Sequence, residues 1–107
     1  MSLKQKHCKP CEGTSSPIQG GEIMAYLPSL SLEWRVTGGK KISHEFSFSD
    51  FKEAMEFVNQ VAALAEQETH HPDISIHYNK VFIELWTHAV GGLSENDFIL
   101  AAKIETL

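Results

Sequence analysis

Four of the six histidines fall within residues 66–97, EQETHHPDISIHYNKVFIELWTHAVGGLSEND. His70 and His71 are adjacent, and His88 lies beyond a segment that alternates like a β-hairpin. An imidazole has a reference pKa of ~6.5, so near neutral pH one ring can donate a proton while another accepts one. Two cationic rings held close together repel, which favours a single shared proton. Such a pair suits an elimination or a hydration, in which one proton leaves and another is delivered. Trp86 would add an aromatic wall for a flat heterocycle.

Two plainer readings compete with this one. Adjacent histidines at the end of a helix can simply favour the negative end of its dipole. Imidazoles with Asp73 or Glu66 could also ligate zinc or iron. No compact HxH or HExxH spacing appears, so no metal is expected.

The elements that must position these residues follow from periodicity. Asp73 to Tyr78 and Val81 to His88 both alternate, separated by Asn79-Lys80. Asn tolerates the left-handed conformation that a two-residue hairpin turn needs. A turn at Asn79-Lys80 pairs Tyr78 with Val81, Ile76 with Ile83 and Ile74 with Leu85 on an apolar face. The other face then pairs His77 with Phe82, Ser75 with Glu84, Asp73 with Trp86 and His71 with His88. A one-residue slip would mix the faces. Directly opposed residues have Cβ atoms ~5 Å apart, so His71 and His88 are expected to face each other.

Upstream, Ser49-Asp50 with Glu53 reads as a capping pattern that starts the main helix, which should run to about Gln67. Phe51, Ala54, Met55, Val58, Ala62 and Ala65 mark its apolar stripe, widened by Phe57, Val61 and Leu64. An earlier hairpin is expected from residues 32–36 and 42–48, turning at Gly38-Gly39, with His44 in a structural position. A short first helix is expected near residues 21–27, ended by Pro28. A last helix begins at Ser94, with Asp97 at the fourth position of an S-x-x-D box. The order is helix, two strands, helix, two strands, helix. The expected fold class is α+β: a four-stranded antiparallel sheet with three helices on one face.

The 107 residues make one domain, large enough to bury roughly 65% of the unfolded surface without staples. Residues 1–16 read as a flexible N-terminal arm and 17–107 as the single domain. A net charge of -5 argues against a nucleic-acid-binding face. No apolar run approaches the ~20 residues of a membrane span, and the first residues lack the apolar stretch of a secretory signal. The cytoplasm is the expected location. The two cysteines, Cys8 and Cys11 in CKPC, have the spacing of a redox pair or half a zinc site, but no second CxxC and no preceding strand. They read as part of a reduced, non-catalytic arm.

One pattern reaches further. Glu66, three residues, His70-His71-Pro72, five residues, Tyr78, nine residues, His88, eight residues, Asp97 resembles the signature of the pterin-4a-carbinolamine dehydratases. Tyr78-Asn79-Lys80-Val81, Thr87-His88 and Gly92-Leu93-Ser94 resemble it too, and CKPCEG resembles the start of some bacterial members. The likeness covers about residues 22–107. It implies an enzyme that removes water from a 4a-hydroxytetrahydropterin, giving the quinonoid dihydropterin. Such an enzyme recycles the cofactor of an aromatic amino acid hydroxylase and needs no metal or organic cofactor of its own. By this resemblance His70 and His88 serve as acid/base groups at the 4a-hydroxyl and N5, while His71 binds and orients the pterin and supports turnover. Thr69, Trp86, Thr87 and Ala89 would line the pterin site, with Glu66, Pro72 and Asp97 in support. Thr69 and Ala89 stand where animal members have acidic residues, so contacts from those positions are expected from the backbone.

The same resemblance carries a second class of function. Animal members also act as dimerisation cofactors for a transcription factor, so a protein-binding module is the alternative. A homodimer or homotetramer is expected, since a sheet with free edges can pair with its twin.

Overall fold

The structure is a computed structural model that describes residues 3–9 and 16–107. Its longest element, α2 (Phe51–Glu68), begins where Asp50, in extended backbone, accepts the Glu53 N–H at 2.9 Å. Glu53 Oε1 accepts the Ser49 N–H in return, at 3.2 Å. The helix buries Ala54, Phe57, Val61, Ala65 and Glu68. Its inward face is therefore rotated from the expected stripe: Phe51 is 50% exposed, Ala62 is exposed, and Phe57 and Val61 lie at the centre. The cause is aromatic packing, because the Phe57 ring sits 4.7 Å from that of Phe46 and 5.1 Å from that of Phe48.

Four antiparallel strands lie in the order β1-β2-β4-β3, formed by Arg35–Thr37, Lys41–Ser47, Asp73–His77 (β3) and Lys80–Leu85 (β4). The β2–β4 pairing joins the two hairpins into one sheet. With α1 (Gly20–Tyr26) and α3 (Glu95–Ile104), the order matches the expected α+β architecture. Ile42, Val81, Ile83 and Leu85 from the sheet meet Phe98, Ile99 and Leu100 of α3 and the inward face of α2 in one core.

Two strands differ from expectation, each because of a distant partner. β1 starts at Arg35 rather than near Leu32. Ser31 N, Leu32 N and Trp34 Nε1 instead donate to the Glu105 carboxylate, at 2.8–2.9 Å, so residues 31–34 serve the end of α3. In the second hairpin the turn is Tyr78-Asn79, not Asn79-Lys80, and the ladder pairs Ile74 with Ile83, Ile76 with Val81 and Asp73 with Glu84. Asn79 is tied to the end of β2: its main-chain oxygen accepts Phe48 N–H at 2.8 Å, and its Nδ2 donates to Phe48 O at 2.9 Å. Tyr78 takes the positive φ of 51°. The slip is two residues, so each side chain keeps its face. The expected His71–His88 opposition is lost, however, because β3 starts after His71 and β4 ends before His88.

His44 is occupied structurally, with Nδ1 2.8 Å from Glu33 O and its ring against Phe46. The described part of the N-terminal arm is laid along the domain rather than away from it. Leu3 enters the core at 8% exposure, and Lys6 Nζ meets Glu95 Oε2 at 3.0 Å. Cys11, and any pairing with Cys8, lies outside the described residues.

Candidate active site

At the end of α2 the chain must turn sharply, and Thr69 does so at φ 53°. A β-branched residue in this left-handed region is strained. Its N–H bonds to the last turn of the helix, and His70 N–H donates to Ala65 O at 3.1 Å. That turn sends His70 toward α3 and leaves His71 outside.

His70 Nε2 lies 2.7 Å from Asp97 Oδ1, with the His70 side chain 11% exposed and that of Asp97 fully buried. Asp97 Oδ2 accepts Thr87 Oγ1–H at 2.8 Å and Ser94 N–H at 2.9 Å, the latter closing the S-x-x-D cap of α3. A carboxylate only accepts, so Nε2 of His70 carries its hydrogen and Nδ1 is left for other work. His71 Nε2 is 2.7 Å from Glu66 Oε2, both well exposed, so this pair orients the ring without burying charge.

The opposite side comes from the segment after β4. Thr87 and Gly92 exchange main-chain hydrogen bonds at 2.7 and 3.3 Å, pinching off a 3-10 turn at His88–Val90 that Gly91 ends at φ 68°. His88 thus projects beyond the sheet, its ring centroid 3.8 Å from that of Trp86 and tilted 35°. Trp86 is fixed by its Nε1–H, which donates to Asp73 Oδ2 at 3.1 Å, and by Lys41 Nζ, 4.9 Å from the ring centre.

Between the two sides lies a cleft of about 730 Å³. Thr69, His70, His71, Pro72, Trp86, Thr87, His88 and Ala89 all line it, while Glu66 and Asp97 stand behind His71 and His70. The expected residues therefore converge even though the hairpin register differs. Positioned imidazoles with carboxylate partners beside an aromatic wall can bind a flat ring and move protons at its edge.

The cleft also has a side that the sequence reading missed: His7, Cys8 and Lys9 from the arm, with Glu68 and Asn96. Glu68 Oε1 accepts Cys8 N–H at 2.8 Å, and Oε2 lies 3.0 Å from His7 Nδ1 and 3.4 Å from Lys103 Nζ. Burial pushes the Glu68 carboxyl up, but the Cys8 N–H, His7 and Lys103 together outweigh it and hold the group below the usual carboxylate range. Burial, reinforced by the Glu68 charge, pushes the Cys8 thiol up to about 12, so it stays protonated near neutral pH. One signal was available: Glu68 falls on the buried phase of α2 after Ala54, Phe57, Val61 and Ala65, where a charge requires partners.

Fold and site together define an α+β domain with a histidine-lined cleft backed by carboxylates. The family model described as pterin 4 alpha carbinolamine dehydratase matches residues 16–107. A protein of Nitrosospira multiformis, provisionally named a pterin-4-alpha-carbinolamine dehydratase, is 51% identical over 105 residues, covering 98% of this chain and 91% of its own length. One of Rickettsia bellii, with the same provisional name, is 47% identical over 106 residues, covering 99% of this chain and 94% of its own. The crystal structure of a transcriptional coactivator/pterin dehydratase from Brucella melitensis superposes with a TM-score of 0.79 at 34% identity, covering 85% of this chain and 97% of that one. The chain belongs to the pterin-4-alpha-carbinolamine dehydratase family.

Proposed function

We propose that the protein dehydrates a pterin-4a-carbinolamine to the quinonoid dihydropterin by histidine acid/base catalysis. The observation that carries the reading is the convergence of His70, His71 and His88 on one cleft, with His70 held by buried Asp97. In the reaction the N5 lone pair forms the C4a=N5 bond as the C4a–O bond breaks. The N5 proton is removed, the departing hydroxyl gains a proton, and water leaves. His70 and His88 divide these two transfers. Nδ1 of His70 faces the substrate because Nε2 is committed to Asp97. His71, steadied by Glu66, orients the pterin, while Trp86 offers a flat wall and Thr69, Thr87 and Ala89 shape the rim. The chain's own residues supply the chemistry, and the product, once a separate two-electron reduction has restored the tetrahydropterin, serves an aromatic amino acid hydroxylase again. Stopped-flow measurement of carbinolamine decay tests this: no acceleration over the spontaneous reaction removes the proposal.

A second reading, a protein-binding module, draws on the Brucella relative's description as a coactivator and on the free β3 edge, where Ile76 is 38% and Tyr78 66% exposed. The same edge is where a homodimer or homotetramer would form. A module keeps its partner when His70 and His88 are both replaced by alanine, whereas the enzyme loses turnover.

A further inference from the structure

Two sides of the cleft come from the end of α2 and the turn after β4. The third is the piece of the arm at residues 7–9, which the histidine chemistry does not require. It is held through main-chain atoms: Cys8 N–H donates to Glu68 Oε1 at 2.8 Å, and Lys9 N–H donates to Asn96 Oδ1 at 2.9 Å. Asn96 Nδ2 donates back to Lys9 O at 2.6 Å, and Cys8 Sγ lies 3.6 Å from Asn96 O. Both anchoring side chains are buried, Glu68 and Asn96 at 6% each.

Their positions in the chain are telling. Glu68 precedes strained Thr69 and then His70, and Asn96 precedes Asp97. The arm therefore bridges residues that lie two positions before His70 and one before Asp97, the partners of the His70–Asp97 pair. Asp97 has its own support from Thr87 and Ser94, so releasing the arm removes a wall of the cleft before it disturbs the proton-transfer pair.

We propose that residues 7–9 form a clasp over the cleft, and that Glu68 and Asn96 are positioning residues that set how tightly a pterin is held. The ligand class rests on the dehydratase reading, while the clasp stands on its own geometry. The clasp is read through Cys8 in a Cys11→Ser background, which leaves it the only thiol. The probe is a 7,8-dihydropterin, which lacks the 4a-hydroxyl and does not turn over.

Asn96→Ala removes both bonds to Lys9. It is expected to raise the dihydropterin Kd about three- to tenfold, the effect of losing one to two net hydrogen bonds. Iodoacetamide should label Cys8 about fivefold faster or more as the thiol becomes solvated. KM should rise more than kcat falls. Glu68→Gln, which keeps an oxygen for the Cys8 N–H but loses the charge, should fall between the parent and Asn96→Ala. Saturating dihydropterin should slow Cys8 labelling in the parent and slow it less in Asn96→Ala. If Asn96→Ala loses its fold, Lys9→Pro deletes the donor to Asn96 from outside the core and carries the same expectations.

Unchanged Kd and labelling rate in folded variants overturn the clasp, and so does a fall in kcat with KM unmoved. A parent that shows no dehydration but whose Cys8 is protected by dihydropterin keeps the clasp and loses the enzyme. A parent that accelerates dehydration with Cys8 unprotected keeps the enzyme and loses the clasp.

Discussion

Asp97→Asn separates proton chemistry from architecture at this site. In the native carboxylate, Oδ2 takes hydrogens from Thr87 Oγ1 and Ser94 N, and Oδ1 faces His70 Nε2. An amide has one oxygen and one NH2 group. Placing its oxygen toward Thr87 and Ser94 satisfies two donors, so the NH2 group points at His70 Nε2. That nitrogen must then accept, and the imidazole hydrogen moves to Nδ1, the atom offered to the substrate. We expect kcat to fall by about 10²–10³, within the range of a positioned acid/base group, which is roughly 3–4 kcal/mol of transition-state stabilisation. Binding should change little, because Asp97 is buried behind the cleft.

The same substitution weakens hydrogen bonds made to a charged acceptor, at a cost of about 1–2 kcal/mol. For a domain of this size that lowers Tm by about 5–15 °C, so single-turnover dehydration is measured well below the transition. As a control, Thr87→Val removes one donor to Asp97 without reversing the tautomer and should lower kcat less than about tenfold. If Asp97→Asn turns over within threefold of the parent while its Tm drops, Asp97 is only the cap of α3, and His70 does not act through a fixed tautomer.

His71→Ala should lose most activity while its stability stays within about 0.5 kcal/mol of the parent, since the Glu66 pair is exposed; circular dichroism and urea melts check the second part. The raised Cys8 thiol contributes stability that is present below its ordinary value of 9.0 and lost as pH rises from there toward about 12. Urea midpoints of the parent should therefore fall relative to Cys8→Ala across that alkaline window. Glu68 has the opposite sign: with its carboxyl held low, its contribution is intact above the unfolded carboxylate value and lost as pH falls through the lowered folded one. The parent's advantage over Glu68→Gln should shrink in acid. Asn79→Ala breaks the tie to Phe48 and should cost about 1 kcal/mol, read as a shifted midpoint at constant m-value.

Periodicity carried the fold because the decisive patterns are local. The strand alternation, the Asp50 and Ser94 caps and the Gly38-Gly39 turn each sit within a few residues of what they determine. The convergence of the histidines was legible for a related reason. His70-His71 ends a helix and His88 follows a strand, and any hairpin between them brings those two ends together. The register was not legible. Asn79 is a good turn-former from sequence alone, yet Phe48, 31 residues away, claims its main chain and amide and leaves the strained position to Tyr78. Opposed histidines were therefore the wrong geometry for the right cleft.

Two further misses, the late start of β1 and the docked arm, share one physical cause. Three carboxylates each gather donors from distant segments: Asp97 from Thr87, Ser94 and His70; Glu68 from Cys8, His7 and Lys103; Glu105 from Ser31, Leu32 and Trp34. Many of those donors are backbone N–H groups, which every residue but proline carries and which leave no trace in side-chain pattern. A carboxylate in a core or at its edge must find such donors or suffer desolvation. It therefore acts where apolar periodicity is silent, delaying the start of β1 at Glu105 and docking the arm at Glu68. Glu68, on the inward phase of an otherwise apolar helix, is thus the sequence sign of a long-range main-chain contact, to Cys8. Of the three carboxylates, Glu68 lines the cleft and Asp97 stands behind its His70.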